Sequence, residues 1–183
     1  MRFTALELER EAVDYSVDIE AGSLDLDGET SQVGPMHCSG RAEALHEHRS
    51  PTEVVVDIRL RGEFSGEFEV PCARCVNPVR HDLTGEFDLI FRPAGVDDEN
   101  HEGSISTQET EIGYYEGGSL QLEDVLREQV LLALPARTLC HPDCKGLCPV
   151  CGQNRNEIDC GCASQQMDPK WSKLAELSSR KSS

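Results

Sequence analysis

The chain has few aromatic residues, modest hydrophobic content and no long apolar run. Its 183 residues include one Trp, three Tyr and five Phe, and hydrophobic residues make up 38% of the sequence. This composition predicts a small, largely aliphatic core that needs a further source of stability. No stretch of about 18 apolar residues occurs, so no membrane-spanning helix is expected.

The N-terminus also lacks the apolar segment of a secretory signal peptide. We therefore expect a soluble, cytoplasmic protein with no membrane partner. In that reducing compartment, closely spaced cysteines are typical of metal sites rather than of disulfides.

Basic residues are scarce, with 17 Lys and Arg against 34 Asp and Glu and a formal net charge of −17 at pH 7. An extended acidic surface repels phosphate backbones, which argues against broad binding to DNA or RNA. The C-terminal residues Lys145, Arg155, Lys170 and Lys173 are weak candidates for a local RNA contact. No Ser/His/Asp or Cys/His arrangement can be recognised, so the sequence predicts a protein that is not an enzyme.

Period-two patterns predict four strands, at residues 36–46, 53–61, 63–70 and 79–91. Residues 49–51 and Gly62 are the expected turns. A helix is predicted from an N-cap at Ser119 to Pro135. Its apolar stripe comprises Leu122, Val125, Leu126 and Val130, and residues 131–134 are apolar on nearly all sides, so this helix must pack on the sheet. The predicted fold class is α+β, an antiparallel β-sheet packed by one apolar helix, with a C-terminal cysteine-rich zinc module.

Three regions follow from these patterns. Residues 1–34 are expected to be weakly structured, with a short helix near residues 5–13. Residues 35–139 form the sheet and helix core, with a loop at 94–118. Residues 140–183 form a cysteine-rich zinc-binding tail with a short terminal helix near 168–177.

Eight of the nine cysteines fall into close pairs, and this is the strongest signal in the sequence. The pairs are Cys72/Cys75, Cys140/Cys144, Cys148/Cys151 and Cys160/Cys162. Zinc prefers four soft ligands in a tetrahedron, so eight thiolates would fill two closed sites. We therefore predict one or two bound zinc ions, with these eight cysteines as the metal ligands.

The first pair lies at a predicted turn between two strands. A thioredoxin-type redox motif needs its first cysteine at a helix N-terminus, whereas Pro78 and a strand follow Cys75. A zinc knuckle, a tight turn that presents two cysteines to one ion, is the favoured interpretation. A knuckle needs a second pair, and Cys140 and Cys144 follow the buried helix directly. These four cysteines are the first cluster.

The remaining four cysteines form the second cluster. Gly152 follows the pair Cys148/Cys151 and permits a tight turn, and the pair Cys160/Cys162 closes the loop after eight intervening residues. This division leaves alternatives open, because one zinc ion could choose four of the six local thiols. An iron–sulfur cluster also takes four thiolates.

Other candidates have simpler explanations. Cys38 is expected to be a small buried residue on a strand. His141 is expected to be a solvated loop residue rather than a ligand. The acids at 97–102 and 109–111 have no calcium-loop spacing and are interpreted as a solvated loop.

Three runs together resemble the YceD family, a group of bacterial and plastid proteins linked to accumulation of large-subunit ribosomal RNA. They are VPCARCVNPVRHDLTGEFDLIFRP, LREQVLLALPART and LCHPDCKGLCPVCGQNRNE, the last followed by CGC and DPKW. CKGLCPVCG followed by Asn154 or Asn156 is the most specific part, and the eight paired cysteines occupy matching positions.

The resemblance implies a role in large ribosomal subunit biogenesis and carries no catalytic residue over to this chain. With the acidic surface, it suggests a basic ribosomal protein or the pre-ribosomal large subunit as partner. Direct contact with RNA stays open. The alternatives are a thiol redox protein that uses Cys72 and Cys75, and a metallochaperone that donates zinc.

Overall fold

The structure is a computed structural model that describes residues 1–50, 53–96 and 112–162. Along these residues the elements are β1 (Arg2–Thr4), α1 (Ala5–Leu8), β2 (Val13–Ile19), β3 (Ser31–Gln32), β4 (Met36–Ser50), β5 (Glu53–Pro71), β6 (Pro78–Pro93), β7 (Ile112–Tyr115), β8 (Ser119–Gln121) and α2 (Leu122–Ala133). Neither helix has the length and apolar character of a membrane span, since α2, the longer of the two, has 12 residues.

The main sheet has six strands in the order β2-β4-β5-β6-β7, and β3 pairs with one end of β5. Neighbouring strands are antiparallel except for β7, which runs parallel to β6. β1 and β8 form a separate antiparallel pair. The predicted α+β class is confirmed, although the sheet has more strands than the four expected.

One face of the sheet forms the core together with α2. Leu60, Phe64 and Phe68 lie on that face of β5 at even spacing, as the period-two pattern requires. The predicted stripe of α2 is buried as well, with Leu126 and Val130 completely inaccessible. Burial of these side chains holds α2 against β6 and so determines where the chain emerges after the helix.

Residues 1–34 contain more structure than the sequence analysis expected. The helix there is limited to α1, with Thr4 as its N-cap, and Val13 already begins β2. β2 alternates in burial, and Tyr15 packs into the core beside Phe3. The expectation of a weakly structured segment is therefore wrong for β1, α1, β2 and β3. The period-two signal of β2 is short, and its pairing partner β4 lies far along the chain.

Gly62 is not a turn. It lies within β5, opposite Gly40 on β4 and Phe87 on β6. A Cβ atom at Gly62 would lie 2.5 Å from the Tyr15 hydroxyl oxygen, so glycine provides the space for that ring. Glycine inside a strand often marks such a close approach, which the sequence pattern alone cannot distinguish from a turn.

The start of α2 also differs from the prediction. Ser119 belongs to β8 and pairs with Thr4, and Gln121 is the N-cap residue. The helix packs on the sheet as predicted, but its apolar residues 131–134 are not all covered, since Leu132 is 70% exposed. β7 occupies part of the expected loop at 94–118, and residues 97–111 lie outside the described residues, as does the predicted helix at 168–177.

Candidate metal centres

The pair Cys72/Cys75 lies at the tip of the hairpin formed by β5 and β6. The Cys72 N–H donates to the Asn77 carbonyl at 2.8 Å, and the Val76 N–H donates to the Cys72 carbonyl at 2.9 Å. Val76 has a φ of 64°, which is unusual for a β-branched residue. A strand follows this turn rather than a helix, so the helix-terminus geometry of a thioredoxin-type site is missing.

The pair Cys148/Cys151 lies in a turn with the same hydrogen-bond pattern. The Cys148 N–H donates to the Gln153 carbonyl at 2.8 Å, and the Gly152 N–H donates to the Cys148 carbonyl at 2.8 Å. Gly152, the counterpart of Val76, has a φ of 75°. The two turns share a backbone form that presents both thiols of a pair to the same side, as a zinc knuckle requires.

The first cluster comes together as the sequence analysis expected. The sulfur atoms of Cys72, Cys75, Cys140 and Cys144 all lie within 4.8 Å of one another. Cys72 Sγ lies 3.8 Å from Cys144 Sγ, and Cys75 Sγ lies 3.5 Å from Cys140 Sγ. Four thiolates around zinc, each at about 2.3 Å, would be separated by roughly 3.8 Å. A disulfide would need about 2.05 Å.

The segment after α2 carries the second half of this cluster back to the hairpin tip. The buried Thr138 is the contact point, because the Ala73 N–H donates to its carbonyl at 2.8 Å. The Thr138 hydroxyl also shares a hydrogen bond of 3.1 Å with His81 Nε2 on β6. Two residues later Cys140 enters the cluster, and the Cys144 N–H donates to the His141 carbonyl at 3.1 Å.

The knuckle and the tail are joined by further hydrogen bonds. Arg74 Nη1 donates to the Cys144 carbonyl at 2.7 Å, and the Leu147 N–H donates to the Arg74 carbonyl at 2.9 Å. Gly146, with a φ of 74°, lies against the same carbonyl, where an added Cβ would be 2.9 Å from the oxygen. The segment 144–147 therefore fits closely against the turn that holds Cys72 and Cys75.

The second cluster is built locally from the tail. The sulfur atoms of Cys148, Cys151, Cys160 and Cys162 lie within 4.8 Å of one another. Cys148 is buried whereas Cys151 is exposed, so this cluster is more open than the first. In the first cluster, Cys72, Cys75 and Cys144 are all buried.

Three thiols have a lowered pKa: Cys72 and Cys144 in the first cluster and Cys148 in the second. Backbone N–H groups of Cys151 and Val150 lower the pKa of Cys148 to about 6. Burial opposes ionisation of Cys72, but hydrogen bonds from backbone groups, Arg74 foremost, lower its pKa to about 6. A pKa of about 6 favours the thiolate form of Cys72 and Cys148 at neutral pH.

Two thiols in each cluster have a raised pKa, Cys75 and Cys140 in the first and Cys151 and Cys162 in the second. Burial and the adjacent Cys75 thiol raise the pKa of Cys140 to about 12. The side chains of Cys151 and Cys160 raise that of Cys162 to about 12. Four thiols this close cannot all become anions on their own, whereas a divalent cation stabilises all four as thiolates. The donor set of each cluster therefore suits a zinc-type ion.

None of the other candidates that the structure describes belongs to either cluster. Cys38 on β4 is completely buried, as expected, and burial raises its pKa to about 11. His141 and Lys145 are exposed, as is Arg155. Lys170 and Lys173 lie outside the described residues, as do the acids at 97–102 and 109–111.

Two contacts at the first cluster were not anticipated from the sequence. They are the bond from Arg74 to the Cys144 carbonyl, given above, and a bond of 3.2 Å from Asn156 Nδ2 to Cys144 Sγ. Asn156 entered the sequence analysis only through the resemblance, in which Asn154 or Asn156 follows CKGLCPVCG. Its partner could not be inferred, because the contact depends on how the tail folds over Cys144.

A family model described as large ribosomal RNA subunit accumulation protein YceD matches residues 60–178. An uncharacterized protein of Mycobacterium tuberculosis strain H37Rv is 36% identical over 107 residues, which are 58% of this chain and 48% of the relative. An uncharacterized protein of Mycobacterium leprae is 25% identical over 122 residues, which are 66% of this chain and 53% of the relative.

A third relative carries a functional name. The large ribosomal RNA subunit accumulation protein YCED homolog 1, chloroplastic, of Zea mays is 26% identical over 147 residues, which cover 62% of this chain and 49% of the relative. The chain spans about half the length of the curated relatives it matches, and no solved structure matches it. The family model covers more than half of the chain and includes all eight paired cysteines, so the chain belongs to the YceD family.

Proposed function

We propose that this protein is a non-catalytic, zinc-binding factor that supports accumulation or processing of large-subunit ribosomal RNA during ribosome assembly. The observation that carries the proposal is the family match, because the matched residues include both four-cysteine clusters and the family is named for this role. In this proposal the zinc ions are structural. They hold the tail against the hairpin tip and so build the surface that a partner contacts.

Zinc is the metal that best suits these ligands. Four thiolates with no open position are typical of structural zinc sites. The Sγ separations of 3.5 and 3.8 Å in the first cluster are those expected around a single ion. A multi-iron cluster is larger than one ion and would hold its ligand sulfurs farther apart.

The partner we propose is a basic ribosomal protein that is part of the pre-ribosomal large subunit. We propose that the contact takes place in the cytoplasm. The sheet face opposite the core carries arginines, but they are matched by acids: Arg41 pairs with Asp14 at 2.8 Å and Arg61 pairs with Glu43 at 2.8 Å. The net charge of −17 leaves a surplus of carboxylates, which favours a cationic protein over a phosphate backbone.

A depletion and complementation experiment tests this function. Cells depleted of the protein should lose large-subunit ribosomal RNA relative to small-subunit RNA, and the wild-type chain should restore it. A chain with Cys72→Ser and Cys75→Ser should fail to restore it. His141→Ala should restore it, because His141 is exposed and lies beside Cys140 without belonging to the cluster. Normal large-subunit RNA in depleted cells would contradict the proposal.

One observation favours a second candidate, a metallochaperone. Cys151 of the second cluster is exposed, so an acceptor protein could approach that thiolate directly. A metallochaperone should release one ion within seconds to a competing chelator. Structural sites should retain both ions far longer, and retention would exclude this alternative.

A further inference from the structure

The two clusters are joined by a loop that belongs to one and contacts the other. Residues 152–159 connect the two ligand pairs of the second cluster. The Arg155 N–H donates to the Gly146 carbonyl at 2.9 Å, and Asn154 forms an antiparallel bridge with Leu147. The loop therefore lies along the segment 144–147, which begins with a cysteine of the first cluster.

Asn156 extends from this loop to that cysteine. Its Nδ2 donates to Cys144 Sγ at 3.2 Å, while its Oδ1 accepts from the Lys145 backbone N–H at 2.8 Å. Asn154 Oδ1 accepts from the Asn156 backbone N–H at 3.0 Å and from its Nδ2 at 2.9 Å. Since the amide oxygen is committed to Lys145, the amide nitrogen must face the sulfur.

A hydrogen bond of this kind orients a metal ligand and stabilises its thiolate form. Outer contacts to metal ligands commonly change metal affinity by about 10- to 100-fold. The contribution is available only while the loop holds Asn156 in place.

The loop has no buried side chains that would stabilise its conformation. Every residue from 152 to 159 is exposed or only partly buried, and Ile158 is 51% exposed. Without buried apolar side chains, ordering the loop is opposed by its conformational entropy. A metal ion bound by Cys148, Cys151, Cys160 and Cys162 would close the loop at both ends and so reduce that entropy.

We propose that Asn156 is a positioning residue of the first metal centre, supplied by the loop that the second centre closes, so that metal in the second centre strengthens binding in the first. This inference rests on the proposed metal binding at both clusters. Because linkage is reciprocal, metal in the first centre strengthens binding in the second by the same factor.

Cobalt(II) provides the test, because its absorption spectrum reports thiolate coordination directly. The full chain is titrated with cobalt against a competing chelator. Cys151→Ser with Cys162→Ser leaves only the first centre. We expect its cobalt affinity to be at least about tenfold lower than in the wild-type chain.

Two substitutions at Asn156 should reproduce this loss while the second cluster is intact. Asn156→Ala removes the contact. Asn156→Asp keeps the acceptor for the Lys145 N–H but replaces the donor by an anion beside Cys144, so it should weaken the first centre at least as much. Arg155→Ala is the matched control, because its backbone N–H bond to Gly146 is kept, and it should bind as the wild type does. Adding Asn156→Ala to the chain that lacks the second cluster should cause no further loss.

The position of the charge-transfer band separates positioning from general support of the fold. Loss of an N–H···S bond raises the energy of the sulfur lone pairs. The sulfur-to-cobalt band of the first centre should therefore shift to longer wavelength in Asn156→Ala and not in Arg155→Ala.

The outcomes distinguish the two proposals. One contrary result is a wild-type chain that binds two ions, with the affinity of the first centre unchanged by Asn156→Ala or by loss of the second cluster. That result would overturn the coupling and leave the proposed zinc binding intact. Equal effects of Asn156→Ala and Arg155→Ala would also overturn it. A chain that binds no cobalt at either cluster would overturn both proposals.

Discussion

At the scale of single residues, three left-handed positions determine the shape of the two knuckles and their junction. Val76 and Gly152 each follow the second cysteine of a pair, with φ values of 64° and 75°, and Gly146 has a φ of 74°. Of the two glycines, Gly146 is the one with no room for a side chain, since an added Cβ atom would lie 2.9 Å from the Arg74 carbonyl oxygen. An added Cβ at Gly152 would have nothing within 4 Å.

Alanine substitutions at the two glycines separate backbone strain from packing. Gly152→Ala should lower the free energy of unfolding by about 1–2 kcal/mol, the typical strain of a left-handed L-residue. Gly146→Ala should lower it by more, because the carbonyl it meets belongs to the hairpin turn and cannot rotate away. Chemical denaturation of the metal-loaded protein measures both, and equal effects would contradict the close fit of segment 144–147 on the knuckle.

Asp88 and Arg59 give a residue-level prediction for pH. Arg59 Nε and Nη2 donate to the two Asp88 carboxylate oxygens at 2.7 and 2.6 Å. This contact, with the nearby charge, lowers the pKa of Asp88. When the folded-state pKa of a carboxyl group is lowered, its ionised form contributes stability at pH values above the unfolded-state pKa, about 3.9. That contribution is lost as the pH falls through the folded-state pKa.

Asp88→Asn should therefore be slightly less stable than the wild type at pH 7. The difference should decrease as the pH falls below about 4 and vanish below the folded-state pKa of Asp88. Both side chains are partly solvent-exposed, so the effect is small. Asp82→Asn on the same strand is the control, because Asp82 makes no ion pair among the described residues. A difference that does not decrease as the pH falls would exclude the ion pair as its cause.

At the scale of elements, α2 matters because it decides where Cys140 emerges. Leu126 is completely buried in the core, whereas Leu132, less than two turns later, is 70% exposed. The helix is thus held by its buried stripe, and the exposed Leu132 adds little to the packing. Loss of that stripe would loosen both the core and the approach of the tail to the hairpin.

Alanine substitutions at Leu126 and Leu132 compare a buried and an exposed leucine of α2. Leu126→Ala should lower the free energy of unfolding by about 2–5 kcal/mol, because it leaves a cavity. Leu132→Ala should change it by less than about 0.5 kcal/mol. Thermal or urea unfolding with metal present measures both. A large effect at Leu132 would mean that it packs against a partner or against residues beyond those the structure describes.

Local sequence patterns can predict some of these elements and not others. The strand positions, the stripe of α2 and the hairpin position of Cys72 and Cys75 follow local periodicity and turn residues and were predictable, although β5 was expected as two strands. β7 was not, because its parallel pairing with β6 is not coded locally. The role of Gly62 was missed for a similar reason, since the ring it accommodates belongs to Tyr15 on β2.

The same distinction applies to the candidate site. The spacing of the cysteines and their position after α2 favoured two sets of four but left other divisions open, and the structure brings the sulfurs of each of these two sets together. Metal binding by those sets stays a prediction. The contact between Asn156 and Cys144 could not be predicted, because it forms only once the tail has folded back on itself.

At the scale of the whole molecule, the chain combines an acidic sheet body with a tail organised by cysteines. The core of the sheet body is more aromatic than the composition led us to expect, because all five phenylalanines lie in it. The exposed loop 152–159, by contrast, leaves part of the tail's stability to be supplied by metal. Removing the metal should therefore release the tail while the sheet persists. In this account the two ions hold the tail in place and take no part in a reaction.

The metal content of the purified chain tests this account most directly. Elemental analysis combined with native mass spectrometry should find two zinc ions per chain. It should find one ion after Cys72→Ser with Cys75→Ser, and one after Cys151→Ser with Cys162→Ser. A wild-type chain without metal, or with a single ion lost in both variants, would contradict the presence of two separate centres.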